Sequence, residues 1–129
     1  MKCKRLYCGF SCVAWFQRFS RRERMTDAML LTAVMRAEQG LIDADLGGGV
    51  IKQRIARESQ GKSGGYRSII LFLCGDKAFF IYGFAKSERD NISKDELADF
   101  KKAAKEYLAL SDEQIQQLID IKALGEVKQ

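Results

Sequence analysis

The chain has 129 residues, 47% of them hydrophobic, and no proline, so it can bury one ordinary core without disulfides or metal and carries no common linker signal. Its formal net charge is +5 and it contains no histidine, which excludes histidine-based metal centres and Ser/His or Cys/His catalysis. The charge is uneven, since residues 1–90 hold 16 Lys and Arg against 9 Asp and Glu whereas residues 91–129 hold 6 against 8; the basic surface of the single domain expected over 1–129 therefore belongs to its front and middle, and favours an anionic partner. The start, Met1-Lys-Cys-Lys-Arg5 followed by an apolar run from Leu6 to Phe16, has the outline of a signal peptide. It lacks a small-residue cleavage site and runs at once into Arg18, Arg21 and Arg22, so a cytoplasmic protein with reduced cysteines (Cys3, Cys8, Cys12, Cys74) is expected. No apolar stretch reaches the roughly 20 residues of a membrane span.

A first helix is predicted over 13–22, with Trp15, Phe16 and Phe19 on its apolar side and Arg18, Arg21 and Arg22 opposite. Thr26 and Asp27 suit the N-cap of a second helix through Met29, Leu30, Ala33, Val34 and Ala37, ended by Gly40. Two successive helices predict an antiparallel pair. After Gly47-Gly48-Gly49, residues 50–55 alternate as a strand, which puts Lys52 and Arg54 on one face and Ile51 and Ile55 on the other. A polar loop is expected over 58–65. Strands follow over 68–74 and 78–85, joined by a two-residue type II′ turn at Gly75-Asp76, and the three make an antiparallel meander. Ser93-Lys-Asp-Glu96 reads as a capping box for a helix with Leu97, Phe100, Ala104, Tyr107 and Leu108 on its apolar face. Ser111-Asp-Glu-Gln114 opens another, carrying Ile115, Leu118 and Ile119 and stopping near Gly125. The order ααβββαα is an α+β arrangement: two N-terminal helices, a small antiparallel sheet and C-terminal helices.

Three segments carry candidate chemistry. Ala56-Arg-Glu-Ser-Gln-Gly-Lys-Ser63 has the relaxed spacing of a P-loop. A P-loop requires a helix starting at its Lys-Ser pair, and here Gly64-Gly65 and strand-like sequence follow, so nucleotide hydrolysis is not expected. The cluster Lys52, Arg54, Arg57, Lys62 and Arg67 is the strongest signal, because strand alternation, glycines and the place of Arg67 at the head of an apolar strand turn a charge run into a candidate phosphate site. Arg67 alternates with Ile69, Leu71 and Leu73, and an arginine at the rim of an apolar face needs a partner or an anion. In the last strand Phe79, Phe80, Ile81 and Phe84 are assigned to the core, which leaves Tyr82, Lys86 and Arg89 as candidates to meet a base and a phosphate.

Trp15-Phe-Gln-Arg-Phe19, Gly40 to Arg57, Gly61-Lys-Ser-Gly-Gly-Tyr-Arg67 and Phe79-Phe-Ile-Tyr-Gly-Phe-Ala-Lys86 through Ile92 together resemble the phage- and prophage-associated branch of the RelE/HigB toxin superfamily, over about residues 15–110. The resemblance implies a RelE-like α+β toxin of a type II toxin–antitoxin pair, whose basic sheet face enters the ribosomal A site and promotes mRNA cleavage. It also implies a cognate antitoxin with a helix-turn-helix, contact with DNA only through the antitoxin complex, no cofactor and no metal. By position, Lys52 and Arg54 match the family's basic strand, Arg67 the arginine that stabilises the scissile phosphate, and Lys86 and Arg89 the basic end of the last strand. Where RelE carries a further Arg and a Tyr this chain has Ser87 and Ser93, and the C-terminal histidine of HigB-type enzymes is missing. The first thirteen residues match nothing in the family and stand where its first strand would be.

Attack by a ribose 2′-hydroxyl needs positioning, neutralisation of the phosphorane and proton transfer. Arg67 suits the charge role because a guanidinium is permanently protonated and bidentate. With no histidine, proton transfer falls to a lysine set among other cations, Lys52 first and Lys86 second. Arg54, Arg57, Lys62 and Arg89 are expected to bind RNA, and Tyr66 and Tyr82 to stack on a base or donate a proton. The alternative is a non-catalytic RNA- or ribosome-binding protein that blocks translation or acts as a regulator.

Overall fold

A computed structural model describes residues 9–57 and 61–128, with the side chains of 57 and 61–64 left out of the description. In chain order the elements are β1 (Gly9–Val13), α1 (Ala14–Arg22), α2 (Asp27–Glu38), β2 (Ala44–Gly47), β3 (Val50–Arg57), β4 (Gly61–Leu73), β5 (Lys77–Ala85), α3 (Lys94–Tyr107), α4 (Asp112–Asp120) and β6 (Leu124–Glu126). The six strands form one sheet in the order β2-β3-β4-β5-β1-β6. The predicted meander is its β3-β4-β5 centre. All pairs are antiparallel except β1 with β5, where Gly9 stands beside Lys77 and Cys12 beside Phe80.

Layers of helix cover both faces. On one, α1 and α2 close a core of Phe16, Phe19, Leu30, Val34, Ile51, Ile55, Tyr66, Ile70 and Phe80; on the other, α3 and α4 close a second core around Val50, Ile69, Leu71, Phe79, Ala104 and Ile115. The arrangement is α+β, as the residue patterns predicted. The expected antiparallel helix pair is corrected: α1 lies over β5, β1 and β6 while α2 lies over β3, because each apolar stripe is buried on the sheet rather than on the other helix.

The helix boundaries follow local chemistry. Thr26 Oγ1 accepts the Met29 amide at 3.2 Å, and Ser93–Glu96 and Ser111–Gln114 exchange both capping-box bonds. Gly40 at φ +87° ends α2 in a Schellman motif, with Leu41 N bonded to Arg36 O at 2.8 Å and Gly40 N to Ala37 O at 3.0 Å. The last helix, however, stops at Asp120 rather than near Gly125, which lies in β6. Lys122, at φ +65°, makes the left-handed exit instead.

Three strands escaped the sequence. The region 9–13 is buried on both faces, with Phe10 and Cys12 against α1 and α2 and Ser11 on the opposite side, so its near-continuous apolar run merges with the helix that starts at Ala14. β2 and β6 are too short, at 4 and 3 residues, to show a period. Other corrections concern turns. The part of the expected polar loop that is described, from Gly61, is already strand β4, while 58–60 lie outside the described residues. The β4–β5 connection is a three-residue loop, with Leu73 paired to Lys77, Asp76 N bonded to Leu73 O at 3.0 Å and Gly75 at φ +77° in the middle, not the first central residue of a type II′ turn. Glu38 accepts the Gly75 amide with both carboxylate oxygens at 3.0 Å, which ties this loop to the end of α2. Among the described residues no helix is long and apolar enough to cross a membrane.

Candidate nucleic-acid interface

The antiparallel register brings the cations of three strands to one end of one face. Lys52 of β3 pairs with Ile69 of β4, which pairs with Tyr82 of β5; two residues on, Arg54 pairs with Arg67, which pairs with Phe84. Directly opposed residues project to the same side, so Lys52, Arg54, Arg67, Tyr82 and Phe84 share the face that α3 and α4 cover further along. A β-bulge at Ile81 produces this alignment, because Ile70 pairs with Phe80 but Ile69 with Tyr82. Phe80 therefore packs against α1 and α2 while Tyr82 and Phe84 join Arg67 on the other side.

The electrostatics of this row are unusual. Two guanidinium-bearing residues stand directly opposite in a β ladder, a placement that costs stability. Arg67 is half-buried, and its Nη1 atom is buried with no hydrogen-bond partner. Arg54 is exposed; its backbone amide is held by Asp43 Oδ2 at 2.6 Å. Among the described residues Lys52, Arg54 and Arg67 make no ion pair, whereas Arg22, Arg36 and Arg89 face Glu23, Asp43 and Glu96. A buried, unsatisfied guanidinium nitrogen beside a second cation is what a phosphate would complete.

Arg89 belongs to the same surface but is not free. Its Cζ lies 5.7 Å from both the Tyr82 and Phe84 ring centroids, its Nη1 donates to Tyr82 Oη at 2.8 Å, and both Nη atoms bind the Glu96 carboxylate. Arg89, and after it the Ser93 amide, hold the Glu96 carboxyl down at about 2. Lys86 is exposed on the turn after β5, where its amide donates to Gly65 O at 3.2 Å. The side chains of Arg57 and Lys62 lie outside the described residues, although their backbones belong to β3 and β4. Lys62 and Ser63 therefore head a strand rather than a helix, in keeping with the rejected P-loop.

The expectation for Tyr66 is corrected by the geometry. Tyr66 is 1% exposed on the opposite face, its ring edge-on to Phe19 and its hydroxyl donating to Glu23 Oε1 at 2.7 Å; parity turns it away from its neighbour Arg67, so no base can stack on it. Tyr82 is half-buried and packed against Trp15 at 4.8 Å and Phe100 at 5.8 Å, which leaves it shaping the wall beside Arg67. Sequence reasoning missed two residues here, Asn91, whose Oδ1 accepts from Lys52 Nζ at 3.2 Å, and Glu96 as the anchor of Arg89. Asn91 carries no motif signal; Glu96 was visible only as part of a capping box.

No metal cluster or reactive thiol is present among the described residues. No group of three or more Cys, Asp or Glu stands close enough to hold an ion. Burial, then the charge of Asp27, pushes the Cys12 thiol up to about 12, which removes it as a thiolate at neutral pH. Burial and the neighbouring Glu38 raise that of exposed Cys74 as well.

Comparison with curated proteins gives no match. A family model described as the RelE toxin of the RelE/RelB toxin–antitoxin system matches residues 12–127, a span that includes every strand and helix except the beginning of β1. The chain belongs to the RelE toxin family.

Proposed function

We propose that this toxin is a ribosome-dependent mRNA endoribonuclease, which stops translation by cleaving messages and is held in check by a cognate antitoxin. The observation that carries the reading is the Arg67 guanidinium, half-buried, with an unpartnered buried Nη1 and Arg54 directly opposite. Such a group offers a fixed bidentate donor for a phosphate whose charge grows in the transition state. Arg67 neutralises the phosphorane, Arg54 and Lys52 bind the adjoining backbone, and Lys52, with Lys86 second, serves proton transfer. Arg57 and Lys62 extend the phosphate track along the same strands. Arg89 contributes through Tyr82 and Phe84 rather than by direct contact, since Glu96 occupies its guanidinium.

With Tyr66 buried, few acid–base groups remain on the face, so the ribosome's own positioning of the message supplies much of the acceleration. The same scarcity of acid–base groups favours one second reading, a blocker that binds ribosomes without cleaving. Primer extension on a reporter message separates the two. New 5′ ends at fixed codon positions, found only in translated message after induction, support the nuclease; arrest without new ends supports the blocker, and equal cutting of naked RNA contradicts ribosome dependence.

A further inference from the structure

The segment between β5 and α3 is tied down at several points. Arg89 Nε donates to Asn91 O at 2.7 Å, its Nη atoms bind Tyr82 and Glu96, and Ile92 N donates to Asn91 Oδ1 at 2.9 Å. This fixes the Asn91 side chain beside the basic strand, where the same Oδ1 accepts from Lys52 Nζ at 3.2 Å. The acceptor is neutral. A carboxylate in its place would form an ion pair and cancel the lysine's charge, as Glu96 does for Arg89, whereas an amide oxygen orients an ammonium and leaves its charge available. A long lysine otherwise loses side-chain freedom when it is immobilised on a ligand.

We propose that Asn91 is a positioning residue of the basic face: it holds the Lys52 ammonium in line with Arg54 and Arg67 for an RNA phosphate without neutralising it. The Arg89–Glu96–Tyr82 clamp in turn fixes Asn91. This inference rests on the nucleic-acid reading of the face, and the test separates the two. Binding of the full chain to a mixed-sequence single-stranded RNA oligonucleotide is measured over a salt series, with melting temperature as the folding control. Asn91→Asp keeps an oxygen for the Ile92 amide and sets a carboxylate against Lys52; the slope of log K against log salt is expected to fall in magnitude by about 0.7, one phosphate contact. Lys52→Ala is expected to lower it equally. Asn91→Ala should weaken binding several-fold in the wild-type background and not at all in the Lys52→Ala background, because its effect passes through that lysine. An unchanged slope in Asn91→Asp, or an Asn91→Ala loss that persists without Lys52, overturns the positioning role alone. An unchanged slope in Lys52→Ala overturns the strand's part in RNA binding and the positioning role with it.

Discussion

Arg67 sits where a charged side chain is hardest to keep, between the apolar Phe84 and a second arginine, with one nitrogen buried and unpartnered. Its replacement removes a like-charge opposition and an unsatisfied donor, so Arg67→Ala is expected to abolish growth inhibition on induced expression while the melting temperature stays at or slightly above wild type. Full toxicity with an intact fold would remove Arg67 from the site. Glu96 makes a contrasting case. Its folded pKa, about 2, lies below the usual carboxylate value because of Arg89, so its stabilising contribution is present above the unfolded value of about 4.3 and is lost as pH falls through that window towards 2. Glu96→Gln should therefore lower the melting temperature at pH 7, and the gap to wild type should close progressively between about pH 4.3 and 2. A gap that stays constant with pH would mean the carboxylate's charge contributes nothing to the clamp. Cys12 and Tyr66 illustrate the opposite outcome, since both are buried in the α1–α2 core, where the Cys12 thiol is packed and the Tyr66 hydroxyl is tied to Glu23.

At the scale of elements, glycines whose Cβ would collide with a neighbour decide how closely layers approach. A Cβ on Gly83 in β5 would stand 2.5 Å from Phe19 Cε2 and 3.0 Å from Phe16 Cε1, so α1 can lie on the strand only because that side chain is missing. Gly83→Ala is expected to cost about 1–3 kcal/mol by overpacking, read as a lowered denaturant midpoint with unchanged slope. A stability equal to wild type would show that α1 moves freely on the sheet. Gly49 is similar, at φ +87° with a Cβ position 2.6 Å from Leu108 Cδ1, and it seats the β2–β3 turn under the end of α3. Strands β3 and β4 supply the basic face as a unit. Replacing Lys52 and Arg54 together with alanine should flatten the salt dependence of single-stranded RNA binding by about 1.4 units, two contacts at roughly 0.7 each. An unaltered slope would make this strand a solvated surface only.

For the molecule as a whole, sheet order explains the division of labour. β1 enters the sheet between β5, to which it is parallel, and β6, to which it is antiparallel, so the first and last described strands close one edge of the sheet while β3, β4 and β5 present their cationic end away from it. The acidic bias of residues 91–129 falls on α4, which carries Asp112, Glu113 and Asp120 and no cation, whereas the acids of α3 are matched by Lys94, Lys101, Lys102 and Lys105; the first turn of each helix is acidic, where negative charge also stabilises the N-terminus. A surface so divided should associate with ribosomes through one side only. Cross-linking of a lysine-reactive probe at Lys52 or Lys86 is expected to fall on ribosome binding, while Lys122 after α4 remains reactive; protection of all three alike would contradict a one-sided interface.

What the sequence determined by itself was whatever rests on local chemistry. Capping residues, Gly40 and apolar periodicity located the four helices, and strand alternation placed Lys52 and Arg54 together, because each depends on residues within one or two turns of chain. The motifs Gly61 to Arg67 and Phe79 to Lys86 were enough to suggest the family that residues 12–127 match. Tertiary structure decided the rest. No local signal marks β1, since a strand paired on both sides and buried on both faces has no alternation to read. Nor could spacing reveal the bulge at Ile81, which turns Tyr82 and Phe84 towards Arg67 and sends Phe80 to the other core. Tyr66 and Arg67 are neighbours in sequence and lie on opposite faces of the sheet, and Asn91 meets Lys52 from 39 residues away. A site made where three strands and a loop converge is fixed by pairing register, and register is set by contacts between segments rather than within them.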